Sequence, residues 1–138
     1  MDIFSQEKRS QVMSHVRNRD TRPEKIIRSI LHKSGFRFRI QRKDLPGKPD
    51  IVLPKYKTII FVHGCFWHQH EGCKKALPPK SNVSFWLEKF RKNKERDRKV
   101  IRTLQESGWK VIVVWQCEIP KIKNNPEIIK KLISEGVD

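Results

Sequence analysis

Between Thr58 and Cys73 the chain reads TIIFVHGCFWHQHEGC, an apolar, β-branched run that ends in three histidines, two cysteines and two adjacent aromatic residues. One buried strand would thereby deliver thiolates, imidazoles and flat rings to a single place. Cys65, His70 and Cys73, joined by the remote Cys117, offer three thiolates and one imidazole, a set suited to a closed, tetrahedral, structural Zn2+ site. His68 is an alternative nitrogen ligand, and spacing does not choose between it and His70. All three cysteines of the chain enter this set, and an odd cysteine count speaks against a disulfide framework.

Upstream, Asp50 follows Lys48-Pro49 at the start of a short apolar run. A hard cation such as Mg2+ takes carboxylates, carbonyls, waters and substrate phosphates. Asp50 offers the carboxylate, and a backbone carbonyl near Val62, one strand later, offers a second oxygen. His63 and His68 add imidazoles able to accept a proton near neutral pH. Asp97 sits within a long helical pattern whose apolar positions Val83, Leu87, Phe90, Ile101 and Leu104 trace one stripe. Extended through positions 94 and 97, that stripe turns Asp97 inward, where an unpaired carboxylate is costly; it needs a cation, a histidine or a metal. Phe66, Trp67 and Trp86 are flat surfaces that can wedge between base pairs, whereas Trp109, Trp115, His15 and His32 read as structural.

A chain with 31 Lys+Arg against 15 Asp+Glu, net charge +16, calls for a polyanionic partner. Affinity for DNA should fall with salt at a log–log slope of about −0.9 per phosphate contacted. A length of 138 residues fits one domain. The expected organisation is a basic arm over residues 1–20 with a short helix from Ser5 to Val16, a catalytic core over 21–117, and a helical extension over 118–138. No apolar run approaches the ~18 residues of a membrane span, and the N-terminus lacks the apolar centre of a signal peptide, so a cytoplasmic protein is expected.

Thr21-Arg22-Pro23-Glu24 is a capping box opening a helix with Ile26, Ile27, Ile30 and Leu31 on one face and Gly35 as its stop. Phe36 to Ile40 alternates with period two and predicts a strand; Asp50–Leu53 and Thr58–His63 predict two more, separated by a turn from Pro54 to Lys57. Asn82 is expected to cap the long helix, which Gly108 closes. Lys110–Trp115 reads as a strand buried on both faces, and Asn124-Asn125-Pro126 starts a last helix. The fold class is α/β: a mixed sheet in αβββαβ order with flanking helices.

Lys48-Pro49-Asp50, the block Phe61-Val62-His63-Gly64-Cys65-Phe66-Trp67-His68, the pairs Phe85-Trp86 and Asp97-Arg98, and Val114-Trp115-Gln116-Cys117 resemble the very short patch repair endonucleases, bacterial enzymes of restriction-endonuclease-like fold. The resemblance implies a Mg2+-dependent nick 5′ of the thymine in a T:G mismatch left by deamination of 5-methylcytosine. It implies Asp50 and the Val62 carbonyl as Mg2+ ligands, His68 paired with Asp97 for proton transfer, and His63 holding water at the metal. Glu24 resembles a family glutamate near the metal, although helix capping already accounts for it. Phe66, Trp67 and Trp86 would intercalate, and Cys65, His70, Cys73 and Cys117 would hold zinc. The implied partner is mismatched double-stranded DNA, bound by a monomer in contact with other mismatch-repair proteins. A sibling nuclease cutting matched DNA, and a zinc-stabilised DNA-binding protein without catalysis, are the competing readings.

Overall fold

The computed structural model describes residues 21–40, 42–77 and 79–135. The basic arm and its Ser5–Val16 helix lie outside that set. Helix α1 spans Arg22–Lys33, with the Thr21 hydroxyl accepting from the Glu24 N–H (3.4 Å) and Gly35 in the left-handed region at φ +86. Strand β1 is Ile51–Leu53 and β2 is Thr58–His63, joined through a 3-10 turn at Pro54–Tyr56. Helix α2, Val83–Glu106, crosses over to β3, Lys110–Trp115; α3 (Ile119–Asn124) and α4 (Glu127–Ser134) follow.

The sheet has three strands in the order β1-β2-β3, with β1–β2 antiparallel and β2–β3 parallel. Side-chain alternation splits it into two faces. Ile51, Leu53, Ile60, Ile112 and Val114 pack with Ile27 and Leu31 of α1 and with the isoleucines of α3 and α4. Val52, Ile59 and Phe61 pack on the other face with Leu104 of α2, joined by the partly buried Val100 and Ile101. The sheet is therefore covered by α1, α3 and α4 on one side and α2 on the other.

Four expectations are corrected. The segment Phe36–Ile40 makes a single antiparallel bridge, Arg39 with Val52, instead of a strand. Two residues along that register Arg37 would face Pro54, which has no N–H to donate, so pairing stops; Phe36 and Phe38 still pack on the core, while Ile40 is exposed. Strand β3 is buried on one face only, at Ile112 and Val114, because it lies at the edge of the described sheet; β2 is the strand buried along nearly its whole length. Asn82 occupies the cap position of α2 but makes no side-chain cap bond. On α2 the buried residues are Trp86, Phe90 and Leu104, whereas Val83 and Leu87 are exposed.

Helix α3 falls within the expected helical extension over 118–138, but as a separate short helix ahead of the last one, which was not foreseen. Pro120 near its start and the Ile119/Ile122 spacing were the available signals. Among the described residues no helix is long and apolar enough to cross a membrane. Ile60, fully buried on the central strand, should dominate stability: Ile60→Ala is expected to cost about 2–5 kcal/mol, read from urea denaturation; a loss below 1 kcal/mol would contradict the central placement of β2.

Candidate active site and adjoining metal centre

Strand β2 ends in a cleft of about 730 Å³ lined by Glu24, Asp50, Val62, His63, His68 and Asp97, together with Arg28, Lys43, Lys48 and Arg96. They come from α1, the approach to β1, the end of β2, the loop after it and α2. Asp50 immediately precedes β1, and its Oδ2 accepts from the Val62 N–H at 2.7 Å. Glu24 stands in the first turn of α1, 2% exposed, with its Oε2 at 3.0 Å from Arg28 one turn on. Capping alone does not explain a carboxylate buried there. Burial above all pushes the Asp50 carboxyl up, the Val62 N–H pulls it back, and the Glu24 carboxylate adds repulsion, leaving Asp50 at about 7.

Two-residue alternation puts His63 on the same face as Phe61, toward α2. The backbone turn in which the His68 N–H donates to the Gly64 carbonyl (3.1 Å) brings His68 back over it. The two imidazoles stack face to face, 3.7 Å between centroids and 5° between planes. Asp97, half-buried between exposed neighbours on α2, accepts from His68 Nδ1 at 2.6 Å. The inward turn read from the helical stripe thus has its partner. Burial first, and then the His68 ring, push His63 down to about 4, so it is neutral at physiological pH. Its buried Nδ1 meets no hydrogen-bond partner among the described residues.

Next to this cleft, the donor atoms of Cys65, His70, Cys73 and Cys117 all lie within 4.8 Å of one another. Tight turns shape the loop: the His70 N–H donates to Cys65 O (3.0 Å) and the Cys73 N–H to His70 O (3.3 Å). His70 Nδ1 is 3.8 Å from Cys65 Sγ and 3.3 Å from Cys117 Sγ. A tetrahedral Zn2+ with Zn–S near 2.3 Å has S···S edges of about 3.8 Å, so the cluster can bind such a metal. Burial and the neighbouring sulfurs push the Cys117 thiol up to about 11, the crowding that a shared cation relieves. The two candidate nitrogens lie apart: His70 is among the sulfurs, and His68 is with Asp97.

Trp115 was read as core packing, yet it stands between the two clusters. Its ring stacks on His70 at 4.2 Å and meets His63 edge-on at 5.3 Å. The pairing of His63 with Trp115 across β2 and β3 places it there; no sequence signal available before the register was known would have found it. The aromatic residues form a third group. Phe66 contacts Trp67 (5.4 Å), Trp86 (5.5 Å) and Phe90 (5.1 Å). Phe66 and Trp67 are half-buried, but the expected flat surface of Trp86 is covered, with 5% exposure. Asn93 Nδ2 donates to the Trp67 carbonyl at 3.1 Å, and the Lys89 ammonium lies 5.4 Å from the Trp67 ring centroid.

Carboxylates and imidazoles gathered in a cleft of a strongly basic chain define a nuclease-type hydrolase. Comparison with known proteins narrows this. Residues 1–75 match the family model of the DNA mismatch endonuclease Vsr. Over 118 residues the chain is 51% identical to the type II nicking enzyme V.XorIIP of Xanthomonas oryzae pv. oryzae, covering 86% of each chain. It is 49% identical over 137 residues to V.NmeAIP, a type II nicking enzyme of Neisseria meningitidis, covering 99% of this chain and 97% of the relative. Against the DNA mismatch endonuclease Vsr of Escherichia coli identity is 46% over 118 residues, 86% of this chain and 75% of that one. The chain belongs to the Vsr family and is a DNA endonuclease.

Because the folded pKa of Asp50, about 7, exceeds the unfolded value of 3.8, the stability it contributes is present below pH ~4 and lost as pH rises through ~7. Asp50→Asn, neutral throughout, should therefore gain several degrees in Tm over the natural chain at pH 8 in chelator, and the gain should vanish near pH 4. A gain independent of pH would show that Asp50 titrates normally.

Proposed function

We propose that this chain nicks one strand of double-stranded DNA 5′ of the thymine in a T:G mismatch, with Mg2+, as the incision step of very short patch repair. The observation that carries the reading is the single cleft that holds Glu24, Asp50, the stacked His63–His68 pair and Asp97. Family membership and the name of the Escherichia coli relative support the mismatch as substrate. On this reading residues 1–138 form one endonuclease domain acting as a monomer in the cytoplasm, with a restriction-endonuclease-like core over 21–117, the basic arm 1–20 on DNA, and 118–138 as a helical extension.

The donor set suits a hard cation. Asp50 and Glu24 crowd two carboxylates together, and a divalent ion held by Asp50 and the Val62 carbonyl relieves that repulsion. Bound there, Mg2+ would neutralise phosphate charge and acidify water. The remaining work falls to side chains. With the Asp97 carboxylate accepting from its Nδ1–H, His68 presents Nε2 as the acceptor of a proton from the attacking water, and Asp97 stabilises the imidazolium that results. His63, pushed down to about 4, stays neutral and avoids placing two cations face to face; its unpartnered Nδ1 is suited to orienting water. The water oxygen bonds to phosphorus as its proton passes to His68 Nε2, one phosphorus–oxygen ester bond breaks, and the leaving alkoxide takes a proton from solvent water while His68 returns its proton to solvent.

Phe66 and Trp67 form the tip of an aromatic wedge, with Trp86 as its buried base, and insertion beside a mismatch costs less stacking than beside a matched pair. Zn2+ at Cys65, His70, Cys73 and Cys117 ties the wedge loop to the end of β3. Five relatives are named type II nicking enzymes, which favours a second reading, nicking at a defined matched sequence.

A strand-nicking assay on T:G, T:A and abasic duplexes separates the readings. Mg2+-dependent nicking confined to T:G is expected, and Asp50→Ala should cut the rate on the order of 1,000-fold with DNA affinity nearly unchanged. Equal nicking of the matched duplex would support the second reading; residual nicking by Asp50→Ala near the natural rate would remove Asp50 from the site. Purified protein should hold about one zinc ion per chain. Cys117→Ala should lose it together with roughly 10 °C in Tm; metal analysis showing full zinc in that variant would rule out the assigned ligand set.

A further inference from the structure

Among the described residues, Lys48, Lys57, Gln69 and Asn82 adopt a left-handed backbone without being glycine. Three of them have a structural occupation. Lys57 ends the turn after β1 and lays its ammonium 5.2 Å from the Trp109 centroid. Gln69 uses its side chain to donate to the Phe66 carbonyl at 2.6 Å. Asn82 is a residue type that tolerates this region, and it starts α2. The Lys48 side chain meets no hydrogen-bond acceptor, carboxylate or ring among the described residues.

Left-handed backbone strains a lysine, and such strain persists only where the surroundings impose it. Here two constraints do so. Pro46 and Pro49 bracket Gly47-Lys48, and each fixes its own φ. Gly47, at φ +75, lies so close to α2 that a Cβ would stand 2.4 Å from Val100 Cγ1. The loop is thus clamped onto α2 one turn past Asp97. Lys48, two residues before Asp50, lines the cleft together with Asp50, His68 and Asp97. Of the other cations on the cleft wall, Arg28 is engaged by Glu24 at 3.0 Å, Arg96 sits on regular helix, and Lys43 lies outside the clamped Pro46–Pro49 turn.

We propose that Lys48 is a catalytic residue, its ammonium contacting the non-bridging oxygens of the scissile phosphate and stabilising the charge that builds on them. The assignment deepens the nuclease reading above and rests on it. In phosphoryl transfer the charge gathers on those oxygens, and a cation fixed in advance stabilises the transition state more than the ground state. Strained backbone between two prolines is a means of fixing a flexible side chain at its root.

The test compares Lys48→Gly, Lys48→Ala, Lys48→Arg and Asp50→Ala in single-turnover nicking of a T:G duplex at saturating protein, with DNA affinity and Tm measured beside it. Lys48→Gly is decisive because glycine is at ease in the left-handed region: its Tm should equal or exceed that of the natural chain while its rate falls about 100-fold. Lys48→Arg should recover part of that loss. Lys48→Gly nicking within threefold of the natural chain while Asp50→Ala is dead would overturn the assignment and leave the nuclease reading intact. A loss confined to affinity and absent at saturation would overturn it too, making Lys48 a ground-state phosphate contact. Full activity in both Lys48→Gly and Asp50→Ala would instead remove the cleft from the reaction.

Discussion

The parallel pairing of β2 with β3 sets where all the chemistry lies. In its register Val62 lies opposite Val114 and His63 opposite Trp115, so the two chains leave the sheet side by side and in the same direction. Cys65 follows two residues after His63, and Cys117 two residues after Trp115. The cysteine–histidine cluster therefore forms because the strands are aligned, before any metal chemistry is considered. A slip of one residue would exchange the faces of β2, taking His63 away from α2 and Asp97. The fully buried residues Ile59 and Ile60, on opposite faces, resist such a slip from both sides.

Given that alignment, the cleft is an electrostatic problem with a divided solution. Glu24, Asp50 and Asp97 come from α1, the approach to β1 and α2, and each is answered differently. Glu24 has Arg28 one turn along its own helix. Asp97 has His68. Asp50 accepts from the Val62 N–H but also stands against the Glu24 carboxyl, and it is the carboxyl held at about 7. The group least well compensated by the protein is the one best placed to be compensated by a cation. Around these acids stand Lys43, Lys48 and Arg96, so a phosphate entering the cleft meets positive charge at the rim and proton-accepting groups within.

Much of this was legible in the sequence because it follows from short periods. The three-and-four spacing on α2 turns Asp97 inward wherever the helix meets the sheet, and the abrupt end of the β2 pattern at His63 marks the strand terminus. The same reasoning failed at the front of α2, where Leu87 was expected inside and Trp86 is. There the helix overhangs the sheet and packs on the Phe66–Trp67 loop, so the buried direction is set by a loop whose position no helical period encodes. Phe36–Ile40 failed for a different reason: alternation reports which side chains are apolar, but pairing needs a partner N–H, and Pro54 has none. Residue pattern alone made Glu24 legible only as a capping residue; its place near the metal came from the family resemblance, since its burial depends on how α1 meets Asp50.

The cysteine–histidine cluster and the imidazole pair are one packed unit. His63 is held without a hydrogen bond to Nδ1 among the described residues, so its orientation depends on packing: His68 covers one face at 3.7 Å, and Phe61 and Trp115 approach at 5.7 and 5.3 Å. Trp115 in turn is fixed at its backbone N–H by Glu118 Oε1 (2.9 Å) and on its ring face by His70. His70 is set by the sulfurs around it. Restraint on the cleft histidines therefore runs from the cluster through the Trp115 indole, which touches His70 on one side and His63 and His68 on the other.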